Sequence, residues 1–284
     1  MPGPFDLDDE RAYRNWRDKK LADYPAQIEV VELRDPGNLK ASEREALLQR
    51  CSRSNMAIYC SRVTHEDKSV PRLLGLQLGL ERLDANFLAD DDGISSITQG
   101  AGTRGEFAPY TDRPIGWHTD GYYNPAARRI RAMLLHCVRD AIEGGESALL
   151  DHEIAYILLR DADPGHVRAL SAPDALTIPP RLEGETVARP AETGPVFSVD
   201  EGVLHMRYTA RGVNIAWKDD ARMRAARDAL DRILASSLYV VRLRLEPGMG
   251  VVCNNVLHAR TDFRDSPHRR RLLYRARYYD RVAA

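Results

Sequence analysis

Apolar positions alternate between helical and strand spacing in the first third of the chain, and short strands with inserted helices dominate after the character changes near residue 90. The segment "DLDDERAYRNWRDKKLADYP" predicts an exposed helix, with acidic residues at its start, lysines at its end and Pro25 to stop it. "IEVVEL" then predicts a strand, "ASEREALLQRCSRS" a helix and "MAIYCSRV" a second strand. "KSVPRLLGLQLGLERL" predicts an amphipathic helix interrupted by glycines. Beyond residue 90, "GISSITQGAGTRGEFAPYTDRPIG" is rich in Gly, Ser, Thr and Pro and has little helical period. "RRIRAMLLHCV" predicts a buried strand and "GGESALLD" a turn into a short one, and Asp151 can cap a helix "HEIAYILLRDA". "IPPRLEGETVARPAETGPVF" has four prolines and predicts a long irregular stretch, a lid loop over about residues 178–205. "DDARMRAARDALDRILASS" predicts an amphipathic helix with Met223, Ala226, Leu230, Ile233 and Leu234 on one face. At the end, "LYVVRLRL", the turn "EPGMG" and "VVCNNVLHAR" predict a hairpin, and "RRRLLYRARYY" a return strand. The pattern gives one domain over residues 1–284: mainly β with helical insertions, a jelly-roll core, and residues 1–26 as an N-terminal helical extension.

Composition removes several function classes. The chain is 43% apolar and 29% charged with a net charge of -1, so it carries no basic field for nucleic acid. No apolar run approaches the roughly 20 residues that a membrane span needs. The first residues, "MPGPFDLDDERAYRNW", lack the apolar centre of a signal peptide. Cys51, Cys60, Cys137 and Cys253 are scattered without a C-x-x-C pair, which predicts reduced thiols in a cytoplasmic protein. Whether it forms a homo-oligomer is left open.

The stretch "GWHTDGYYN" sets His118 two residues from Asp120. Alone the pair is weak: 42 acidic residues in 284 put one at that spacing after a histidine about 15% of the time, and His65 and Asp67 form a second such pair. What distinguishes the first is a distant histidine, His258 in "LHAR", at the end of a predicted strand. Two imidazoles and one carboxylate can occupy one face of iron(II) and leave three positions open. The final strand makes a separate point. Alternation sets Arg271, Leu273 and Arg275 on one face, and a buried guanidinium is costly without an anion, such as the far end of a dicarboxylate.

These pieces, in this order, resemble the taurine dioxygenase family of iron(II)/2-oxoglutarate-dependent oxygenases over roughly residues 27 to 280: "LLQRCSRSNMAIYCS", "WHTD", "GGESALLD", "LEPGMGVVCNNVLHAR" and "RRLLYRA". The resemblance implies a double-stranded β-helix, cupin-like, with His118, Asp120 and His258 as iron ligands. It implies that Arg271 binds the far carboxylate of 2-oxoglutarate, with Ser147 where the family usually has a threonine, and that Arg275 stands at a substrate anion. It further implies a dioxygenase that consumes O2 and 2-oxoglutarate, oxidises an unactivated C–H of a small, anionic molecule and releases succinate and CO2. "MRYTAR", with Arg207, is similar to a segment of the carnitine-pathway hydroxylases. Two departures matter. Pro114 replaces an asparagine that contacts taurine in taurine dioxygenase, which argues against that substrate. Asp120 is present, which argues against halogenation.

Around this set, Tyr122, Tyr123 and Gln99 are candidate substrate contacts. His136 is expected in the core, and His152, His166, His205 and His268 on the surface or lid, with His205 able to reach the site. Arg269, Arg270 and Arg277 are expected at the surface. The rival readings are a barrel that only binds a ligand or metal, and a zinc hydrolase on the same ligands; neither needs Arg271.

Overall fold

The predicted buried strand "RAMLLHCV" lies inside the main sheet. The computed structural model describes residues 3–27, 29–85, 89–90, 92–100, 105 and 107–282, and its chain divides into two units. One unit comprises Pro25–Gly116, Ile130–Leu149 and Val241–Ala284. Its early elements are β1 (Val30–Leu33), α2 (Ala41–Ser54), β2 (Met56–Ser61), α3 (Ser69–Gln77) and β3 (Ser95–Ile97); α1 (Glu10–Asp23) belongs to the other unit. Then come β4 (Ile115–His118) and β7 (Ser147–Leu150), whose last residues (Trp117 and His118; Leu150) fall in the other unit, with β5 (Ala132–Arg139) and β6 (Glu143–Gly144) between them. The unit closes with β15 (Val241–Leu243), β16 (Met249–Cys253), β17 (Leu257–Arg260), β18 (Phe263–Arg264) and β19 (Leu272–Tyr278). One sheet has the order β1-β2-β16-β5-β19-β3, and a second the order β15-β7-β17-β4.

Strand alternation builds two cores. Leu272, Tyr274, Ala276 and Tyr278 of β19 pack with Leu47 and Cys51 of α2 and Leu74 of α3. The intervening Leu273 packs on the other face with Met133, Cys137, Val251 and Leu149, the inner core of the jelly roll. Each fully buried aliphatic side chain of this kind stabilises by about 1.5–3 kcal/mol. Gly250 lets β16 pass over Tyr59, since a Cβ there would lie 2.3 Å from the ring and 2.4 Å from the Leu135 carbonyl.

The other unit comprises Met1–Tyr24, Trp117–Arg129 and Leu150–Val240. It holds α1 (Glu10–Asp23), α4 (His152–Ala162), α5 (Pro164–Leu170) and α6 (Ala221–Ser236). Asp151 caps α4 as expected, accepting from the Glu153 amide. Short strands join the helices: β8 (Leu176–Ile178), β9 (Arg181–Glu183), β10 (Thr186–Arg189), β11 (Glu192–Gly194), β12 (Phe197–Asp200), β13 (Val203–Met206) and β14 (Ala216–Trp217).

Four expectations need correction. The segment 178–205 is not irregular: β9/β10 and β12/β13 are hairpins and β11 pairs β8, because its prolines fall between strands rather than within them. β15 and β16 do not form a hairpin; β15 pairs β7 while β16 pairs β2 and β5. α3 stops at Gln77, where Leu78 leaves the helix and Gly79 is left-handed at φ 81. α1 is not wholly exposed: Tyr13 and Lys20 are buried against α4, and the Lys20 ammonium meets Asp151 at 2.8 Å and Glu153 at 2.6 Å. The four cysteines are unbridged, and among the described residues no helix is long and apolar enough to cross a membrane.

Candidate metal centre

β4 ends on His118, which bridges to Thr209, and the next residue is fastened twice to Tyr208. The Thr119 amide donates to the Tyr208 carbonyl at 3.0 Å, and the Tyr208 amide donates to Thr119 Oγ1 at 3.1 Å. The chain then turns through Gly121 at φ 66. The strand therefore ends at His118, and Asp120 stands on the turn. The ligand atoms of His118, Asp120 and His258 lie within 4.8 Å of one another, with Asp120 and His258 buried. His258 comes from β17, the neighbour of β4 in the four-stranded sheet. Its Nδ1–H donates to the Val256 carbonyl at 3.0 Å, so the neutral ring carries its lone pair at Nε2. Two neutral imidazoles and a carboxylate fit a ferrous ion. The other pair does not gather such a set: His65 is exposed, and the Ser69 hydroxyl and amide hold the Asp67 carboxyl below its usual range.

Arg271 is buried at 6% exposure. Among the described residues no carboxylate lies within ion-pair distance of its guanidinium, and burial lowers its affinity for the proton. The guanidinium lies 5.1 Å from the Phe263 ring centre and runs beside Gly145, whose Cβ would lie 3.5 Å from Nε. Gly144 and Gly145 are both left-handed, at φ 73 and 74, and a Cβ on Gly144 would lie 2.3 Å from the Asp262 carbonyl. The paired glycines thus let the chain after β17 lie close, and β7 begins two residues later on the buried Ser147. A residue not singled out in the sequence joins them. Arg260, two residues after His258, lies 4.7 Å from the Phe263 ring, and burial and Arg271 push its pKa down to about 9. It donates to the carbonyls of Thr111 and Arg113, and the Phe263 amide donates to that of Asp112 at 3.1 Å. Three consecutive carbonyls just before β4 are thereby tied to the end of β17. Strand alternation from His258 is the signal that could have found Arg260.

Asp120 also lines a cleft with Tyr122, Asn124, Arg129, His205 and Arg207. Arg207 donates to the carbonyls of Leu176 (2.6 Å) and Glu192 (3.3 Å). Tyr122 accepts from Arg211 at 3.0 Å and packs edge-on against Tyr123, their ring centres 5.2 Å apart. Arg129 and Asn124, unremarked in the sequence, carry no local pattern that would have marked them. Gln99 is exposed and donates to Asp112 at 3.5 Å; it is not among the described residues lining this cleft. Arg275 is buried on β19, opposite Ser95 and Leu135.

His136 is a core residue, as expected; Tyr59 Oη lies 3.1 Å from its Nδ1, and burial lowers its pKa to about 4. His152 is not at the surface: it is buried, with Nε2–H donating to the Leu204 carbonyl at 3.2 Å, because the start of α4 faces β13. Arg277 is likewise buried rather than solvated, paired with the buried Asp84, whereas Arg269 and Arg270 are exposed as expected.

A model of the taurine catabolism dioxygenase TauD, TfdA family matches residues 17–277. A uridine-5'-phosphate dioxygenase from Amycolatopsis sp is 36% identical over 207 residues, covering 65% of this chain and 74% of that protein. Another from Streptomyces sp is 30% identical over 197 residues, covering 66% and 69%. Among solved structures, an asparagine oxygenase in complex with Fe(II), 3-hydroxyasparagine and succinate superposes with a TM-score of 0.63 at 18% identity, over 84% of this chain and 80% of that one. The non-heme iron oxygenase OrfP, in complex with Fe and alpha-ketoglutaric acid, gives 0.61 at 17% identity, over 86% and 81%.

Proposed function

The chain belongs to the taurine catabolism dioxygenase TauD, TfdA family, and from that premise we propose that His118, Asp120 and His258 hold its iron and that Arg271, with Ser147, receives the far carboxylate of 2-oxoglutarate. The protein is an iron(II)/2-oxoglutarate-dependent dioxygenase acting on a small molecule. Bound iron, 2-oxoglutarate and O2 supply the oxidising power to break an unactivated C–H bond, with succinate and CO2 released. The protein's own part is placement. The Val256 carbonyl holds His258 Nδ1–H, so Nε2 is the nitrogen that would be offered to the iron. Arg271 would anchor the far carboxylate of 2-oxoglutarate and leave its keto acid end for the iron. The observation that carries this reading is the gathering of the three ligand atoms within 4.8 Å. A buried Arg271 with no carboxylate within ion-pair distance among the described residues supports it, since neither a zinc hydrolase nor a binding-only barrel needs one.

We place the substrate among nucleoside 5'-phosphates, because both related dioxygenases are named for uridine-5'-phosphate. Arg275 and the arginines of the Asp120 cleft are the two places where its negative charge could be held. Four unbridged thiols suit a reducing cytoplasmic setting. The test is anaerobic visible absorption of the purified protein with iron(II) and 2-oxoglutarate. A weak band that needs both is the expected result; bound iron without the band would overturn the reading.

A further inference from the structure

Several arginines pair with a carboxylate: Arg17 with Asp161, Arg244 with Asp140, and Arg277 with Asp84. Three arginines around the cleft that holds Asp120 do not. Arg189, Arg207 and Arg211 have no carboxylate within ion-pair distance among the described residues. Arg189 donates to the carbonyls of Pro179 and Pro190 (2.8 Å) and lies 5.9 Å from the Tyr123 ring centre. Arg207 donates to the carbonyls of Leu176 and Glu192, and Arg211 to the Tyr122 hydroxyl. Neutral oxygens orient these guanidinium groups without cancelling their charge. All three border one place: Arg207 lines the cleft, and the other two touch the Tyr122–Tyr123 pair at its edge.

Arg129 adds a fourth charge to the cleft, at 3.7 Å from the half-exposed Asp200. Burial lowers the proton affinity of both Arg189 and Arg207; the Glu192 carboxylate opposes this at each, while Arg129 adds to it at Arg207. Asp120 is assigned to the metal; Glu192 and Asp200 then stand against Arg129 and Arg207, and the excess of positive charge is carried by Arg189 and Arg211 at the rim. An excess of positive charge partly withdrawn from water is relieved when an anion enters. Polar donors stand beside it in Asn124, Thr193 and Ser198. A carboxylate brings one negative charge, whereas a phosphomonoester brings about 1.5 to 2 and three acceptor oxygens, which suits several donors converging from different strands.

We propose that Arg129 and Arg207 form a phosphate-binding subsite in the cleft beside Asp120, with Arg189 and Arg211 at its rim. This rests on the reading of the protein as a dioxygenase of a phosphate-bearing small molecule and names the residues that select it. The subsite, rather than Arg275, holds the substrate's anion. The phosphate is then an anchor close to the metal, and the carbon oxidised lies within a few bonds of it.

The test is calorimetric and needs no turnover. The protein is held anaerobically with iron(II) and 2-oxoglutarate, and uridine 5'-phosphate, uridine, ribose 5-phosphate and inorganic phosphate are titrated in. Uridine 5'-phosphate should bind at least about 10-fold more tightly than uridine. Arg129→Gln and Arg207→Gln should each remove about 10-fold of that preference while uridine binding stays within about twofold. Arg275→Gln should leave the preference in place. Arg207→Gln could loosen the Leu176 and Glu192 carbonyls, so Arg211→Gln, which loses only a tyrosine bond, serves as the second variant and should weaken the phosphate by about threefold. Ribose 5-phosphate binding as tightly as the nucleotide would support the subsite and put the base outside it. Equal affinity for uridine and its phosphate, or a preference erased by Arg275→Gln and untouched at Arg129 and Arg207, would overturn the proposal. The absorption band with 2-oxoglutarate is recorded on the same samples. Band present with no phosphate preference sinks the subsite alone; band absent sinks the dioxygenase centre, whatever the phosphate does.

Discussion

His258 donates its Nδ1–H to the carbonyl of Val256, two residues back, at 3.0 Å. A local backbone bond thus sets the tautomer of a proposed ligand before any metal arrives. Replacing a ligand should cost more than the roughly 10–100-fold in metal affinity attributed to partners that only orient one. His118→Ala, Asp120→Ala and His258→Ala should each abolish stoichiometric iron and the 2-oxoglutarate band. Iron analysis after dialysis, with circular dichroism to check folding, measures this; full iron in any one variant would remove that residue from the set.

Arg271 should act on the co-substrate and little else. A charge-assisted bidentate contact contributes about 1.5–3 kcal/mol, so Arg271→Ala should weaken 2-oxoglutarate by about 10- to 100-fold. Arg271→Lys should recover part of this, because an ammonium keeps the charge but not the fork. Titrating the absorption band with 2-oxoglutarate gives the affinity directly. Unchanged affinity in Arg271→Ala would refute the assignment.

Burial lowers the His136 pKa from its ordinary 6.5 to about 4. The folded state therefore binds fewer protons here than the unfolded chain between those values. The stabilisation is fully present above about pH 6.5 and is lost as the pH falls toward about 4, at most ~3 kcal/mol in all. His136→Gln keeps a polar group beside Tyr59 and removes the titration. Melting curves across this range should show a flatter acid limb for the variant; parallel curves would place the acid sensitivity elsewhere.

Asp84 and Arg277 form an ion pair with each side chain 3% exposed. Removing one partner leaves a buried charge, so Asp84→Ala should cost about 3–5 kcal/mol in denaturant unfolding. Asp84→Leu combined with Arg277→Met should recover much of that loss. If the single and double variants lose the same amount, the pair does not carry the effect.

Local chemistry was enough for the elements whose causes are local. Asp151 caps α4, and the residues of "ASEREALLQRCSRS" form α2 end to end. The chain from "GGES" to "SALL" turns and pairs as its glycines and apolar run require. Alternation along the last strand correctly divided Leu272 and Tyr274 from Leu273. Where the reading failed, the cause was distant. The pattern of "LYVVRLRL" and "VVCNNVLHAR" is that of two adjacent strands, but which strand each one pairs depends on partners about a hundred residues away. His152 and Arg277 looked like surface residues because burial of a polar group is decided by its partner, Leu204 in one case and Asp84 in the other.

The sequence by itself determined the kind of protein. It supplied a histidine and an aspartate two apart, a far histidine on a strand, an arginine on the inner face of the last strand, and the ordered motifs of one family. Those are fixed by residue identity and period. Only the tertiary structure decided that three ligand atoms come within 4.8 Å, that Arg260 ties the approach to β4, and that arginines far apart in the chain line and rim one cleft. Convergence of that sort has no period to read, because it is set by how strands and turns from separate segments stack, and each arginine taken alone looks like any other charged residue on a solvated face.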